Sequence, residues 1–354
     1  MAENQKLIGF IGTYTKGDSE GIYSFTLDAA AEKLGDVKPA AQLDNPTYVT
    51  VSKDNQYLYS VMKEGEKGGA AAFAINGKNG RGHLECLNKQ LSEGASPCHI
   101  SVDNDNQCVV TANYHKGTVE AYMTSDDGSL NPVSSVIEHH GSGPNKDRQE
   151  KPHVHFAGFT PDEKYIAVVD LGTDQLITYS LNNGALKEVS RLSVKPGSGP
   201  RHLAFHPNGK YAYLMTELSN EVIALAYHSA EGSFTELQTI SAIPEDFNEN
   251  SQGSAIHISS DGRFVYAANR GHDSIALFSV DQDSGNLAFV EHTSTEGHWP
   301  RDFALDPTEN FLVASNQHSG SIVLFKRDKE TGKLKFIQSD AAVPDPVCVK
   351  FLHV

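Results

Sequence analysis

The chain has 354 residues, and its 45 acidic side chains outnumber its 29 lysines and arginines, so the formal net charge at pH 7 is −16. A protein this acidic lacks the net basic surface that binding to duplex nucleic acid or to an anionic membrane requires, although a local basic pocket is compatible with it. With 38% hydrophobic and 21% charged residues, the composition is typical of a folded globular protein and excludes a largely disordered one.

We expect the protein to lie in the cytoplasm. The first residues, MAENQKLIGFIGTYTKGD, show none of the features of a secretory signal, and no apolar run approaches the roughly 18–20 residues that span a bilayer. The cysteines, at positions 86, 98, 108 and 348, form no CxxC pair and have no metal-like spacing with histidine. In a chain of this length we interpret them as reduced thiols.

In chain order, the predicted elements repeat a single pattern. An apolar strand, a polar turn and a second apolar or aromatic strand recur, as in TYVTVSKDNQYLYSVM and RHLAFHPNGKYAYLMT. The period is roughly 50 residues. A third strand and a fourth segment follow in each unit, and a seventh copy begins at Pro346. The turn residues that set this period are Asp54, Asp105, Asp162, Asn208, Asp261 and Thr308.

Four strands per unit at this period are typical of a β-propeller. The runs are rich in Val, Ile, Tyr and Phe and end at turn residues, whereas no amphipathic helical pattern is visible. Segments 6–14 and 21–27 supply the strands that the seventh copy lacks, so both chain ends would complete the last blade and remove open edges. We therefore predict an all-β, seven-bladed β-propeller of four-stranded blades, forming one domain over residues 1–354.

The functional site is predicted where the repeats differ from one another. The start of an innermost strand and the end of the next, antiparallel strand should meet at one rim of the central channel. Arginines gathered there in an acidic protein indicate a site for a small anionic ligand, since guanidinium groups bind phosphate and carboxylate well. The rim positions that we select are His155, Arg201 and Arg301 at strand starts and Asn113, Asp170, Glu217, Asn269, Arg270 and Gln317 at strand ends. His153 stands two residues before His155, which in a regular strand would place both on one face.

Each of these residues also has a structural interpretation. Arg201 and Glu217 could form a structural ion pair, Arg270 could be a solvated loop residue, and Arg301 beside Trp299 could be part of a stacking scaffold. An asparagine or aspartate recurs at the strand ends of four units, which favours turn capping there. The insertion that begins at His139–His140 and continues GSGPNKDRQEK is predicted to be a surface loop bordering the rim.

No cofactor or metal is expected. The chain contains no GxSxG elbow, P-loop or dinucleotide fingerprint. The two histidines with Glu217 could hold a metal, but no spacing in the sequence demands one.

Four stretches resemble the seven-bladed propeller lactonase family, which contains the propeller type of 6-phosphogluconolactonase and the fungal carboxymuconate cyclases. The stretches are GTYTKGDSEGIYSF, PHVHFAGFTPDEKYIAVVDLGTD, GPRHLAFHPNGKYAYLMTEL and HISSDGRFVYAANRGHDSI. The resemblance covers essentially the whole chain, and the combination of GPRH, TEL and NRG is its most specific part. It implies an active site containing Arg201, Glu217, Arg270 and either His155 or His153.

Together, the rim and the resemblance predict a hydrolase that opens a sugar lactone, 6-phospho-D-glucono-1,5-lactone, to 6-phosphogluconate in the pentose phosphate pathway. His155, or Glu217 acting with it, would take a proton from water. Arg201 would face the developing oxyanion, and Arg270 with Arg301 would hold the phosphate. The alternatives are a carboxymuconate-type lactonizing enzyme or a lactonase for an unphosphorylated sugar lactone, and a non-enzymatic binding propeller. The closed edges and the negative charge favour a monomer.

Overall fold

The structure of the protein, a computed structural model, describes residues 6–76 and 82–354. Over these residues the chain forms antiparallel β-strands and no helix, so none of them could cross a bilayer as a helix. The strands form seven four-stranded sheets, and the innermost strands contact one another in sequence around a ring. This arrangement confirms the predicted seven-bladed β-propeller.

Six blades are built from strands that are consecutive in the chain. Blade 1 contains β4 (Val49–Val51), β5 (Tyr57–Glu64), β6 (Lys67–Asn76) and β7 (His83–Glu93), and blade 2 contains β8 (His99–Val102), β9 (Cys108–Asn113), β10 (Thr118–Thr124) and β11 (Leu130–Glu138). Blade 3 contains β12 (Val154–Phe159), β13 (Tyr165–Asp170), β14 (Gln175–Asn182) and β15 (Ala185–Ser193), and blade 4 contains β16 (Pro200–Phe205), β17 (Tyr211–Thr216), β18 (Glu221–His228) and β19 (Ser233–Ser241). Blade 5 contains β20 (Gln252–Ile258), β21 (Phe264–Arg270), β22 (Ser274–Val280) and β23 (Leu287–Ser294), and blade 6 contains β24 (Pro300–Leu305), β25 (Phe311–Asn316), β26 (Ser321–Arg327) and β27 (Leu334–Ala342).

Blade 7 joins the two ends of the chain, as predicted. Its innermost strand is β28 (Pro346–Phe351), followed by β1 (Lys6–Thr13), β2 (Gly21–Asp28) and β3 (Lys33–Gln42). β28 and β1 are antiparallel, with Lys350 opposite Phe10. The pairing satisfies backbone groups that an open strand edge would leave exposed.

The hydrophobic core lies between adjacent blades. Second and third strands are buried on both faces, which explains why they are continuous apolar runs in the sequence; all six residues of β9 are buried. One cluster joins Val169 and Leu176 of blade 3 to Leu214 and Ile223 of blade 4. Each such side chain contributes about 1.5–3 kcal/mol when fully buried. Because this core runs around the whole ring, the rim is carried by a rigid support.

A repeated irregularity at the start of the innermost strands positions the predicted site residues. In β16, Pro200 pairs with Thr216 but His202 pairs with Met215, so Arg201 is an extra residue in the ladder. The same register shift leaves His155 of β12 and Arg301 of β24 without a pairing partner on the neighbouring strand. Such a bulge bends its strand and redirects the side chain of the extra residue. Three of the predicted site residues are therefore bulge residues on equivalent strands.

Candidate active site

A cavity of about 520 Å³ opens at the rim where the innermost strands begin. Its volume lies in the range of small-molecule sites. The structure places His155, Glu217, Arg270 and Arg301 in its wall, and Arg201 is buried against Glu217. Among the described residues, five lysines and arginines line the cavity and Glu217 is the one carboxylate in the lining. The strand starts and strand ends thus meet at one rim, as the sequence argument expects.

Glu217 is bound by three arginines, and these four residues are called the Glu217 cluster below. Its Oε2 lies 3.1 Å from Nε of Arg201 and 2.7 Å from Nη2 of Arg270. Its Oε1 accepts a hydrogen bond from Nη2 of Arg148. Arg201 also donates from Nη1 to the carbonyl of Ser254, and Arg270 donates from Nη2 to that of Gly253. The cluster therefore links blades 4 and 5 to the insertion before blade 3.

The electrostatics of the cluster keep Glu217 ionised. Burial by itself would raise the pKa of the Glu217 carboxyl, but the neighbouring charges, led by Arg270 and Arg201, lower that pKa well below its ordinary value. Burial and the charges of Arg270 and Arg301 lower the pKa of Arg201, which nevertheless stays protonated at pH 7. A carboxylate held in this state is a poor proton acceptor and a strong anchor for guanidinium groups.

The backbone also fixes Glu217. Its N–H donates to the carbonyl of Gly199 at 2.7 Å, and its own carbonyl accepts from the N–H of Gly253 at 3.1 Å. A Cβ at position 253 would lie 2.2 Å from the carbonyl oxygen of Thr216, so blade 5 needs glycine at this strand start. The close approach of the two blades at Gly253 brings Arg270 within reach of Glu217.

Arg148 was not among the predicted site residues. It lies in the insertion, residues 139–151, that was expected only to border the rim, and its side chain is 31% exposed. The insertion is held at both ends by Asp170, whose Oδ2 contacts Nδ1 of His139 at 2.8 Å and whose Oδ1 accepts from the N–H of His153. Gln149 adds a hydrogen bond from Nε2 to the carbonyl of Leu171. An insertion has no counterpart in the other repeats, so comparison of the repeats could not select this arginine.

His155 and His115 both line the cavity, and His155 is the one that the sequence argument selected. Its Nδ1 is buried and has no hydrogen-bond partner within the described part of the chain. Its ring contacts Tyr114 and His202, with centroids 5.8 and 5.2 Å away. Burial and the charge of Arg201 lower the pKa of His155 well below its ordinary value. The imidazole is therefore neutral at pH 7, and one of its ring nitrogens carries a lone pair that can accept a proton.

His153 has a different position from the one expected. It precedes β12, so strand alternation does not place it beside His155, and it is absent from the cavity wall. Its Nδ1 lies 2.9 Å from the carbonyl oxygen of Tyr114 and its Nε2 lies 3.1 Å from Glu150. The ring stacks on Tyr114 at 4.1 Å. His153 thus supports Tyr114, which does line the cavity.

The structure does not bring four of the predicted substrate-binding residues to the cavity wall. Asn113 donates from Nδ2 to the carbonyl of Ala95, and Asn269 does the same to the carbonyl of Ala242. Asp170 is fully buried and accepts from three backbone N–H groups. Gln317 is half-buried outside the lining. Asp170, which accepts from the N–H groups of Gly172 and Thr173, caps its own turn, and Asn113 does so by accepting from the N–H of Lys116. Asn269 instead bonds to the backbone of the preceding blade.

Among the described residues, no hydrogen bond or ion pair joins Arg301 to the Glu217 cluster, although its charge lowers the pKa of Arg201 and Arg270. Its Cζ is 5.4 Å from the ring centroid of Tyr14, and Nζ of Lys16 is 4.8 Å from the same centroid. The expected stacking partner, Trp299, instead faces Arg270 at 5.5 Å. Lys63 also lines this side of the cavity. Lys16, Lys63 and Arg301 are called the cationic arc below, and the sequence argument selected only the last of them as a ligand-binding residue.

Below the cavity, aromatic and charged side chains fill the channel. Tyr48, His99 and His202 lie within 4.3–5.8 Å of one another, centroid to centroid. Lys350 donates from Nζ to the hydroxyl of Tyr48 at 3.2 Å and lies 3.9 Å from Oδ2 of Asp302. Tyr48, His99 and Lys350 line a second cavity, of about 370 Å³, and none of these five side chains is in the lining of the first.

In residues 6–76 and 82–354, no cluster of three or more His, Cys, Asp or Glu side chains is placed to hold a metal ion. The two histidines and Glu217 do not converge on one point, because His153 is turned toward Tyr114 and Glu150. The candidate ligand set considered from the sequence is therefore not assembled.

Comparison with known proteins gives concordant results. Residues 8–351 match the model of a family described as lactonase, 7-bladed beta-propeller. The chain is 60% identical to the 6-phosphogluconolactonase of Bacillus subtilis over 98% of this chain and 99% of that one. A crystal structure from Lactobacillus plantarum shares 41% identity with a TM-score of 0.94, covering 99% and 100% of the two chains. The periplasmic gluconolactonase of Pseudomonas aeruginosa shares 33% identity with a TM-score of 0.92 and the same coverage.

Proposed function

The chain belongs to the seven-bladed β-propeller lactonase family, and from this premise we propose that it hydrolyses 6-phospho-D-glucono-1,5-lactone to 6-phosphogluconate. The observation that carries the proposal is the charge of the cavity. In a protein of net charge −16, the residues that the structure describes line a space of about 520 Å³ with five cationic side chains and a single carboxylate. Such a space suits a small anionic substrate.

The reaction adds water across the lactone ester. The oxygen of water forms a bond to the carbonyl carbon while it gives up a proton, and the carbonyl oxygen becomes an oxyanion. The bond from that carbon to the ring oxygen then breaks, and the ring oxygen takes a proton to become a hydroxyl group. The carbonyl group re-forms as this bond breaks, and the resulting open-chain carboxylic acid releases its remaining proton to solvent and becomes a carboxylate.

His155 is the proposed general base. It lines the cavity, it is neutral, and its buried Nδ1 has no partner among the residues described. Its lowered pKa makes it a weak base, but a positioned base contributes about 10²–10⁴-fold and a reactive lactone requires little more. Glu217 is a poorer candidate because three guanidinium groups already occupy its oxygens.

Arg148 and Arg270 are the proposed oxyanion partners, because both line the cavity beside His155. Donors aimed at a developing oxyanion are worth about 10²–10³-fold each. Arg201 is buried behind Glu217, so we assign it a positioning role through that carboxylate. This differs from the oxyanion role expected for Arg201 in the sequence analysis, and the difference follows from its burial.

A lactonase for an unphosphorylated sugar lactone is the second candidate, and the similarity to the Pseudomonas aeruginosa gluconolactonase favours it.

A purely binding propeller has less support. The large exposed apolar side chains of the described chain lie on the outer strands of five blades, in β11, β15, β19, β23 and β27, and at Val354 after β28, and do not form one face. We keep a monomer in the cytoplasm as the proposed state, and the four free cysteines are consistent with a reducing compartment.

The test is an assay of the purified protein with the phosphorylated and the unphosphorylated 1,5-lactone, measured against spontaneous hydrolysis. We expect acceleration of both and a clear preference for the first. His155→Gln should remove most of the acceleration, whereas His228→Gln, at an exposed histidine of blade 4, should not. Rates equal to spontaneous hydrolysis with both lactones would refute the proposed function.

A further inference from the structure

We propose that the cationic arc, Lys16, Lys63 and Arg301, is the subsite for the substrate's phosphate and is separate from the Glu217 cluster, where the lactone ring opens. The inference rests on the proposed function and adds to it the residues that select a phosphorylated substrate. The sequence-based assignment gave the phosphate to Arg270 with Arg301; the proposal keeps Arg301 and replaces Arg270 by Lys16 and Lys63.

The two sets of cations lie on different parts of the ring. The Glu217 cluster and His155 come from blades 3, 4 and 5 and from the insertion before blade 3. Arg301 is in blade 6, Lys16 lies in the β1–β2 connection of blade 7, and Lys63 is in β5 of blade 1. Blades 6, 7 and 1 are consecutive, since β24 contacts β28 and β28 contacts β4. The cavity thus has a wall with the reacting groups and a wall with the cationic arc.

The two sets differ in whether their charges are already neutralised. Every arginine of the Glu217 cluster binds the carboxylate, and Arg270 spends further donors on the carbonyls of Gly253 and Gln252. Within the described chain, no ion pair or side-chain hydrogen bond is found for the arc residues. Lys16 and Arg301 contact the ring of Tyr14. Unpaired cations at a concave surface are the groups that an incoming anion can bind without displacing a partner.

Local contacts hold the arc together. The N–H of Thr15 donates to Oδ1 of Asn45 at 3.3 Å, and Oγ1 of Thr15 accepts from the N–H of Asn45 at 3.1 Å. The neighbouring residue, Asp44, forms an isolated β-bridge with Lys63. The loop that carries Lys16 is therefore fastened to the segment beside Lys63. The ring of Tyr14 contacts both Lys16 and Arg301 and so connects two of the three arc residues.

The chemistry of the substrate requires two separate subsites. The phosphate is carried on the exocyclic carbon, whereas the reaction occurs at the carbonyl of the ring, so one set of cations cannot bind both. A phosphate monoester carries a charge of about −1.5 to −2 at pH 7 and has three acceptor oxygens. Two lysines and an arginine with free donors match that charge, and Arg301 can bind two of the oxygens at once.

The experiment compares kcat/KM for the phosphorylated and unphosphorylated 1,5-lactone in Lys16→Met/Lys63→Met and Arg301→Met. The control is Lys53→Met/Lys210→Met, which removes the same charges from exposed turns. Competitive inhibition by inorganic phosphate is measured in the same proteins, and direct binding of phosphate is measured by calorimetry. Thermal unfolding confirms that each variant is folded.

We expect the preference for the phosphorylated lactone to fall about tenfold or more in each arc variant and the inhibition by phosphate to weaken by a similar factor, with no change in the control. An unchanged preference, or an equal loss with both lactones, would overturn the subsite. If the preference falls in Arg148→Met and not in the arc variants, the subsite would also be overturned, and the phosphate would be assigned to the Glu217 cluster. Wild-type protein that hydrolyses neither lactone yet loses phosphate binding in the arc variants would refute the proposed function and leave the subsite standing.

Discussion

Oε2 of Glu217 lies 2.7 Å from Nη2 of Arg270, with both side chains only 4% exposed, so a carboxylate of blade 4 is bound by a guanidinium of blade 5 in the wall of an open cavity. Burial of such a pair costs desolvation energy that its attraction only partly offsets. An apolar pair would fill the space at lower cost. The ion pair is therefore better explained by the orientation that it gives Arg270 and Arg148 than by stability.

Glu217→Gln should lower kcat/KM by at least about 10²-fold, because the neutral amide cannot hold three arginines in place. The free energy of unfolding should fall by about 3 kcal/mol, since the arginines lose their shared counter-charge. Steady-state kinetics and urea unfolding measure the two effects. Glu231→Gln, at an exposed position of the same blade, is the control and should change neither. Unaltered kinetics in Glu217→Gln would remove the cluster from the mechanism.

Arg201→Met and Arg148→Met should separate positioning from direct action. Arg201 is 3% exposed beside Glu217, so its loss should destabilise the fold by about 3 kcal/mol and lower activity as a consequence. Arg148 is 31% exposed, so its loss should cost only about 1 kcal/mol of stability while kcat falls about 10²-fold. Thermal unfolding and kcat, measured on both variants, provide the comparison. Equal stability losses in the two proteins would contradict the assignment.

The activity should show no inflection near pH 6.5. Burial, together with the charge of Arg201, lowers the pKa of His155, and the general base must be unprotonated. His155 is therefore competent at every pH above its lowered pKa. We expect kcat/KM to be flat from about pH 6 to 8 and to decline only at more acidic pH. A drop centred near pH 6.5 would indicate a solvent-exposed histidine as the base.

The stability should fall in acid before the carboxylates titrate. Burial lowers the pKa of His99 to about 3 and the pKa values of His155 and His202 well below 6.5. Below about pH 6.5 the unfolded chain takes up protons that the folded protein does not, so the free energy of unfolding decreases as pH falls. The slope is at most about 1.4 kcal/mol per pH unit for each histidine. Urea unfolding between pH 7.5 and 4.5 measures this slope. His202→Phe removes one of the three histidines, so the slope should decrease by the contribution of one proton, at most about 1.4 kcal/mol per pH unit.

Asn269→Ala and Asn316→Ala should act on stability and not on KM. Each Nδ2 donates to a backbone carbonyl, of Ala242 or Thr295, and each residue is fully buried. Loss of either bond should cost about 1–2 kcal/mol. The residues lie in different blades, so the double variant should show the sum of the two effects. If Asn269→Ala raised KM without altering thermal unfolding, Asn269 would be a substrate-binding residue, as the sequence analysis predicts.

The repeat pattern by itself determined the architecture, since a period of roughly 50 residues with four apolar strands leaves one way to bury every blade. Counting from the turn residues also selected Arg201, Glu217, Arg270, Arg301 and His155, because equivalent positions in a closed ring lie at one rim. The tertiary structure alone decided how the charges pair. Strand alternation could not anticipate the bulge that separates His155 from His153, and comparison of repeats could not find Arg148 in an insertion. Which cations are neutralised by Glu217 and which stay free in the cationic arc depends on contacts between residues far apart in the chain, and periodicity carries no information about these.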